Sequence, residues 1–345
     1  MIEIDGSIGE GGGQVLRSAL TLSLVTGQEF IIRKIRAQRP KPGLQPQHLK
    51  AVEAAAAIGR AITHGAFLGS NELSFRPTTI QSGRYRFEIG TAGATTLVLQ
   101  TIFLPICFAK NVSTVTLTGG THVPWSPCYH YLDLHWLYFM QKIGCNAELS
   151  LIQAGFYPKG GGEIQSRIYP ISQIKPINII ERGKLLQIRG ISAVANLDRI
   201  IAERQRNRAV QRLGHRYPLN DIRIVQLPSR FKGTVLLLIA EFENSQCCYF
   251  GLGELGKPAE RVADEVIDAI EQFMLTDGVI DQYLADQLLL PLVLANGISQ
   301  FRTSKVTNHL ITNATVIKHF LPVNIEIEAD LGEAGLITIH PRAES

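Results

Sequence analysis

The feature that most constrains how this chain folds is an order of elements that occurs three times. A short strand (Ile2–Gly6) leads into a glycine-rich turn, Gly9-Glu10-Gly11-Gly12-Gly13-Gln14, and then an apolar helix, Val15–Val25. An alternating strand (Glu29–Ile35), a basic loop (Arg36–Gly43) and a helix opening at His48 and closing near Gly59 complete the unit. The same order returns as strand Tyr85–Gly90, turn Thr91–Ala94, helix Thr95–Phe108, strand Ser113–Thr118, loop Gly119–Tyr129 and a helix opening at His130. A third occurrence runs from helix Tyr283–Leu294 through strand Ser299–Thr303 to a loop, a helix from His309 to Phe320, and strand Val323–Ala329. Apolar spacing of 3.6 residues in the helices and 2 in the strands carries these assignments. A repeat of this size predicts an α/β (α+β) fold of three βαβαβ-type units around a pseudo-threefold axis.

Residues 182–276 break the repeat. They contain strands at Leu186–Arg189, Ile222–Leu227, Thr234–Glu241 and Cys247–Phe250, with helical runs at Leu197–Leu213 and Pro258–Met274. The expected organisation is therefore a large domain of residues 1–181 and 277–345, interrupted by a small α/β domain of residues 182–276.

Composition narrows the class. With 45% hydrophobic and 19% charged residues, the chain reads as a globular protein. A net charge of +4 permits a polyanionic partner without demanding one. The N-terminus, Met1-Ile2-Glu3-Ile4-Asp5, lacks the basic region of a secretory signal, and the apolar run Leu288–Ala295 is too short for a bilayer and holds Pro291. No membrane association is expected. Five cysteines form no CxxC pair, which fits a reducing cytoplasm. His122, Cys128 and His130 are too irregularly spaced for a zinc site.

The chemistry concentrates at His309. Thr307 or Asn308 can cap the helix that begins there. Free N–H groups and partial positive charge at a helix start disfavour imidazolium and welcome phosphate. A neutral histidine beside a phosphate seat is what a phosphoryl- or nucleotidyl-transfer nucleophile requires. A simple capping histidine is the plain alternative. His48 and His130 occupy the corresponding place in the other two units, where packing or substrate binding are the roles open to them.

Other residues gather around that reading. The glycine-rich turn allows close backbone approach, but it lacks the Lys-Ser/Thr of a phosphate loop. Glu10 within it would repel phosphate unless a cation lies between them, which suggests a divalent-metal ligand. Arg36, Arg39 and Lys41 ride a proline-stiffened loop suited to gripping phosphate, and Arg17 one turn into the first helix can face the same region. Tyr283 can stack on a base, while Asp286 and Gln287 offer polar groups to a ribose or base; capping by Asp281 explains part of that run. Gly251-Leu252-Gly253-Glu254-Leu255-Gly256 has dinucleotide-loop spacing but lacks the following strand with its acid. Arg204, Arg208 and Arg212 share one helix face, solvated or RNA-facing.

Taken together, these segments resemble the RNA 3′-terminal phosphate cyclase family of catalytic, bacterial or archaeal type. The matching segments are Asp5–Ser18, Arg36–Leu49, Gly90–Gln100, Gly119–Thr121, Gly155–Pro158 with Gly160–Gly162, Tyr283–Gln287 and His309-Leu310. The resemblance implies three repeats akin to the C-terminal domain of a translation initiation factor, interrupted by a smaller thioredoxin-like insert. It implies ATP and a divalent metal, magnesium or manganese, as cofactors, and RNA 3′-phosphate ends as partners. His309 would attack the α-phosphate and carry AMP, which passes to the RNA 3′-phosphate before the neighbouring 2′-hydroxyl displaces it. Gln100, Tyr283, Leu284, Ala285, Asp286 and Gln287 match the nucleotide-binding positions. Phe250, just before the second glycine motif, joins them on the base or ribose side. Glu10 would bind metal, and Arg17, Arg36, Arg39, Lys41 and His48 would meet the RNA. A homodimer stays open.

The resemblance breaks at His122-Val123-Pro124-Trp125, where an acidic or amide residue followed by small residues is expected; a bulky Trp125 near the cleft would alter substrate preference. Two rivals are a ribosome-assembly factor that keeps the fold without the chemistry, and an enolpyruvyl-transfer enzyme, which needs no nucleophilic histidine.

Overall fold

The computed structural model describes residues 1–341. The first unit comprises β1 (Ile2–Asp5), α1 (Gly13–Thr26), β2 (Phe30–Arg33), α2 (Pro46–Gly59), β3 (Ile62–His64) and β4 (Leu73–Arg76). Its sheet runs β1-β2-β4-β3, with β1 and β2 parallel and the remaining pairs antiparallel.

The second unit comprises β5 (Arg84–Glu88), α3 (Thr95–Cys107), β6 (Ser113–Gly119), α4 (Tyr129–Tyr131), a π turn (Leu132–Trp136), α5 (Leu137–Lys142), β7 (Ala147–Gln153) and β8 (Gly162–Ile168). Its sheet, β5-β6-β8-β7, repeats the same pairing senses.

The third unit opens with β9 (Asn178–Ile179) and then breaks off. The interruption comprises β10 (Leu185–Ala195), α6 (Ile200–Leu213), β11 (Leu219–Gln226), β12 (Gly233–Phe242), β13 (Gln246–Leu252) and α7 (Ala259–Met274). These strands form their own sheet, β11-β10-β12-β13. The third unit resumes with α8 (Gln282–Leu292), β14 (Ser299–Thr303), α9 (Asn308–Phe320), β15 (Asn324–Glu328) and β16 (Gly335–His340), in the order β9-β14-β16-β15.

Each unit is thus βαβαββ, one strand richer than the βαβαβ pattern expected. The extra strand belongs to a closing hairpin. Along β7, for instance, burial alternates residue by residue, as in a strand with one wet face.

The helices carry the core between the sheets. α3 explains its own central place: of its residues only Leu97 and Gln100 escape burial, the signature of a helix packed on all sides. One apolar cluster runs through all three units, including Leu20, Phe75, Phe103, Leu288 and Ile317. The edge contact of Phe30 with Phe320, 6.0 Å between centroids, joins the first unit to the third. The interruption has a separate apolar cluster between its sheet and α6 and α7, built on Ile188, Leu236, Val266 and Ile270.

Two readings from the sequence change here. Arg204, Arg208 and Arg212 are ion-paired rather than unpartnered, although Arg204 keeps 48% of its side chain exposed. Arg204 pairs with Glu260, Arg208 with Asp264, and Arg212 with Asp264, Asp268 and Glu271 along the α6–α7 seam. The second glycine motif serves packing, because a Cβ at Gly251 would press on Val266 and Val262 of α7 and one at Gly253 on Thr234.

Candidate active site

The site forms where the N-termini of α1 and α9 converge. The glycines of the first turn are required by what crowds them. A Cβ at Gly9 would lie 2.0 Å from Thr312 Oγ1, and one at Gly13 would lie 2.2 Å from His48 Nε2 and 3.2 Å from an Arg17 nitrogen. Gly9 and Gly11 also hold positive φ angles of 61° and 56°, which L side chains adopt poorly. The turn therefore lets α9, the basic loop and α2 close on the start of α1.

His309 is the second residue of α9, after the Thr307 cap, whose hydroxyl accepts from Leu310 N at 3.1 Å. Its side chain is 47% exposed, and Nδ1 stands 3.6 Å from Glu10 Oε1. Burial holds its pKa below the usual 6.5; Glu10 opposes this, while Arg17 and Arg39 reinforce it. The ring is therefore neutral and partly accessible. Its own carbonyl accepts from Gln14 Nε2 at 2.9 Å, which ties α9 to α1.

A cavity of about 80 Å³, walled by α1, α3, the π turn, α5, α8 and α9, is linked to His309 through Gln14, which lines it; the His309 ring itself is not part of the lining. Arg17, Gln100, Asp286 and Gln287 are among the cavity's polar lining residues, and Phe103 and Trp136 among its apolar ones. Gln14 Nε2 donates to Asp286 Oδ2 at 3.1 Å, and Asn313 Nδ2 donates to Asp286 O at 2.9 Å. Ser18 Oγ donates to Asn313 at 2.6 Å, and Gln100 Nε2 to Gln287 Oε1 at 2.5 Å. Burial raises Asp286 from 3.8 to about 7 despite the opposing charge of Arg17. Burial likewise lowers Arg17 to about 10, opposed by Asp286. Arg17 has no carboxylate within ion-pair distance among the described residues, so its charge is available to an anion.

Several expected residues sit differently from their reading. Leu284 and Ala285 are fully buried in the core, so their side chains cannot touch a ligand. Tyr283 is 54% exposed and stands edge-on to Tyr249. Phe250 is half-buried against Tyr131 and lies outside the cavity lining. Arg36 is turned onto its own loop, donating to the carbonyls of Lys41 and Gly43, so it shapes the loop rather than reaching outward. Arg39 pairs with Glu10 at 3.1 Å, and Lys41 is exposed.

The three histidines are not at one position. His130 and His309 are each the second residue of their helix, but His48 is the third. The second residue of α2 is Gln47, whose Oε1 accepts from Ala94 N at 2.7 Å. His48 Nδ1 accepts from Gln45 N at 3.3 Å, and burial with the nearby Arg17 and Arg36 lowers its pKa to about 3. His130 Nδ1 meets His122 Nε2 at 2.9 Å, and burial beside Arg223 lowers it to about 4. Of the three, only His309 keeps both a neutral ring and an open approach.

One supporting network escaped the sequence reading. Asp281 caps α8 through Tyr283 N and Leu284 N at 3.0 Å each, as expected, but its carboxylate also takes Tyr131 Oη at 3.2 Å and His135 Nε2 at 2.6 Å. Gln246 of β13 holds the other His135 nitrogen at 3.2 Å. This buried cluster fixes the helix that carries Asp286 and Gln287. The π turn bearing His135 left no mark in the apolar periodicity.

Beside the His309 ring a divalent ion finds one carboxylate, Glu10, the Asp286 carboxyl lying in the cavity, and no group of three or more acidic, histidine or cysteine ligands occurs among the described residues. That donor set suits magnesium, which commonly takes one or two protein carboxylates and completes its shell with phosphate and water.

Comparison with known proteins fits this geometry. The family profile for RNA 3′-terminal phosphate cyclase matches residues 8–327. An RNA 3′-terminal phosphate cyclase from Nostoc punctiforme is 44% identical over 338 residues, covering 96% of this chain and 97% of the relative. One from Sulfurisphaera tokodaii is 44% identical over 337 residues, with the same coverage of 96% and 97%. One from Ralstonia nicotianae is 42% identical over 332 residues, covering 95% and 94%. Among solved structures, the enolpyruvyl transferase NikO from Streptomyces tendae aligns with 99% of this chain and 48% of its own at 10% identity and a TM-score of 0.38, a likeness too slight to carry any argument.

Proposed function

The chain belongs to the RNA 3′-terminal phosphate cyclase family, and we propose that it uses ATP to close an RNA 3′-phosphate onto the adjacent 2′-hydroxyl. The observation that carries this is His309: a neutral, half-exposed imidazole at a helix start, under the charge of Arg17 and tied through its carbonyl to Gln14, both of which line the cavity.

The chemistry needs activation first, because an oxygen of a phosphate monoester is a poor leaving group. The His309 lone pair attacks the α-phosphorus of ATP, forming a P–N bond as the bond to pyrophosphate breaks. An oxygen of the RNA 3′-phosphate then attacks the same phosphorus, taking AMP and freeing His309. Finally the 2′-hydroxyl attacks the 3′-phosphorus, its proton is lost, and AMP leaves as the cyclic phosphate closes. A histidine phosphoramidate is reactive enough to hand AMP on, so one hard step becomes easier ones.

In this reading Gln100, Asp286 and Gln287 orient the nucleotide, and Arg17 meets charge on the transferring group. Asp286, near half-protonation at neutral pH, can donate or accept a hydrogen bond. Arg39 and Lys41 face the RNA end. Glu10 would hold a divalent ion, which would neutralise phosphate charge when bound. We take residues 182–276 as a unit inserted into the catalytic body of residues 1–181 and 277–345.

The test is labelling. Protein incubated with α-labelled ATP and magnesium or manganese should retain acid-labile, alkali-stable label, and His309→Ala should retain none. Persisting label in His309→Ala would overturn the assignment.

A further inference from the structure

Three loops outside the catalytic cavity are knitted into one surface. The N–H groups of Thr121 and His122 donate to the Gly155 carbonyl at 2.9 and 3.0 Å, and Gly155 N donates to Thr121 Oγ1 at 2.9 Å. Ala154 N donates to Pro228 O at 2.7 Å, and Ser229 Oγ to Ala154 O at 2.8 Å. The Phe156 ring fills the space over Gly233, while Phe231 lies 3.0 Å from where a Cβ of Gly161 would stand. The loop 156–162 of the second unit is thereby fastened to the loop 229–233 of the interruption.

This surface presents what a folded protein ordinarily hides. Trp125 is 100% exposed, Tyr157 69% and Phe231 37%. Trp125 also holds a φ of 63°, a left-handed conformation that is rare for a bulky residue. A strained, solvent-bathed indole gains the fold nothing, so its position points to a ligand. In the same loops as Tyr157 and Phe231 lie the exposed cations Lys159, Arg230 and Lys232, none in an ion pair among the described residues, whereas Arg86 on β5 is taken by Glu163 at 2.7 Å.

The surface is also continuous with the catalytic site. A Cβ at Gly160 would lie 2.8 Å from Ala92 Cα, so loop 156–162 rests on the turn at Thr91–Ala94. That turn is held by Gln47 through Ala94 N, and the neighbouring His48 lies over Gly13 beside Arg17.

Resting on the cyclase reading above, we propose that the RNA strand leading to the reacting 3′ end runs from His309 past Gln47 and the Thr91–Ala94 turn to a stacking platform of Trp125, Tyr157 and Phe231, with Lys159, Arg230 and Lys232 on its phosphates. Exposed rings stack on bases of any identity and unpaired cations follow the backbone, which is how single strands are held without sequence preference. The arrangement makes the enzyme length-sensitive and sequence-tolerant.

The experiment compares a 3′-phosphorylated dinucleotide with a 3′-phosphorylated RNA of about 12 nucleotides, a length that a platform of this kind engages. Binding is read by anisotropy of labelled RNA without ATP, so the result stands even if self-labelling fails and the cyclase reading with it. For the wild type, affinity should rise with length. Trp125→Gly should weaken binding of the long RNA about 5- to 100-fold, with the dinucleotide unchanged. Its melting temperature should hold or rise, since the indole makes no internal contact and glycine relieves the left-handed backbone. Tyr157→Ala should act in the same direction, and Lys159→Glu with Lys232→Glu should flatten the salt dependence of long-RNA binding. Self-adenylylation should be unaffected throughout. Unchanged long-RNA binding in all these variants, as for a surface that docks a protein instead, would overturn the proposal. Equal losses on the dinucleotide and the long RNA would overturn it as well.

Discussion

Asp286→Asn should stabilise the nucleotide-free protein, and only above a certain pH. The wild-type carboxyl is lifted from its ordinary 3.8 to about 7 by burial in the cavity wall. Between those values the folded state binds a proton that the unfolded state has already released. Stability therefore falls as pH rises from 4 to 7 and is level beyond. At 1.36 kcal/mol per decade, the full penalty approaches about 4 kcal/mol. The carboxylate borders a cavity open to water, which screens part of the charge, so about 1–3 kcal/mol is expected. Asparagine keeps an oxygen that can accept from Gln14 Nε2, as Asp286 Oδ2 does at 3.1 Å, while removing the charge. Melting curves at pH 8 should place Asp286→Asn roughly 2–5 °C above the wild type, with the gap closing by pH 4. A gap independent of pH, or a variant less stable at pH 8, would refute burial as the source of the shift. The gain at pH 8 should come with loss of nucleotide affinity, as expected where a strained charge serves a site.

Other outcomes follow from the same geometry. With the His309 pKa held below 6.5, self-adenylylation should stay level as pH falls through 6.5 and decline only lower; Glu10→Gln removes the opposing charge, so NMR titration of the ring should show the pKa falling further. A rise would show that Glu10 does not act on that ring through its charge. Gly13→Ala favours the helix by up to about 1 kcal/mol, yet its Cβ would stand 2.2 Å from His48 Nε2 and 3.2 Å from an Arg17 nitrogen. The clash falls first on His48, with Arg17 pressed beside it, and shifting the pair should cut self-adenylylation at least about tenfold; full activity would mean that neither side chain is held for the reaction by this contact.

Most of the elements were legible because their signals are local. Apolar spacing located α3, α9 and β14 nearly to the residue, and glycines marked the turn before α1. The closing hairpins lie outside the predicted repeat although β7, Ala147–Gln153, alternates apolar and polar residues up to Leu151; what the chain alone does not show is its pairing with β8, which makes it part of the unit's sheet. At the site, residue types alone singled out His309, Glu10, Arg17 and Asp286. Residue types could not separate Arg36, folded onto its own loop, from Arg39, because both look alike as exposed-loop cations. Nor could they show that His48 stands one place later in its helix than His309.

The sequence by itself determined the repeated unit, the helix that begins at His309 and the turn that must be glycine, since hydrogen bonding and periodicity act over a few residues. Only the tertiary structure decided which groups meet. Gln14 reaches the His309 carbonyl across 295 residues, Asp281 finds His135 across 146, and the loops at 156–162 and 229–233 close into one surface. Such contacts are chosen by how three packed units and an interruption share a core, and no local pattern of the chain encodes that choice.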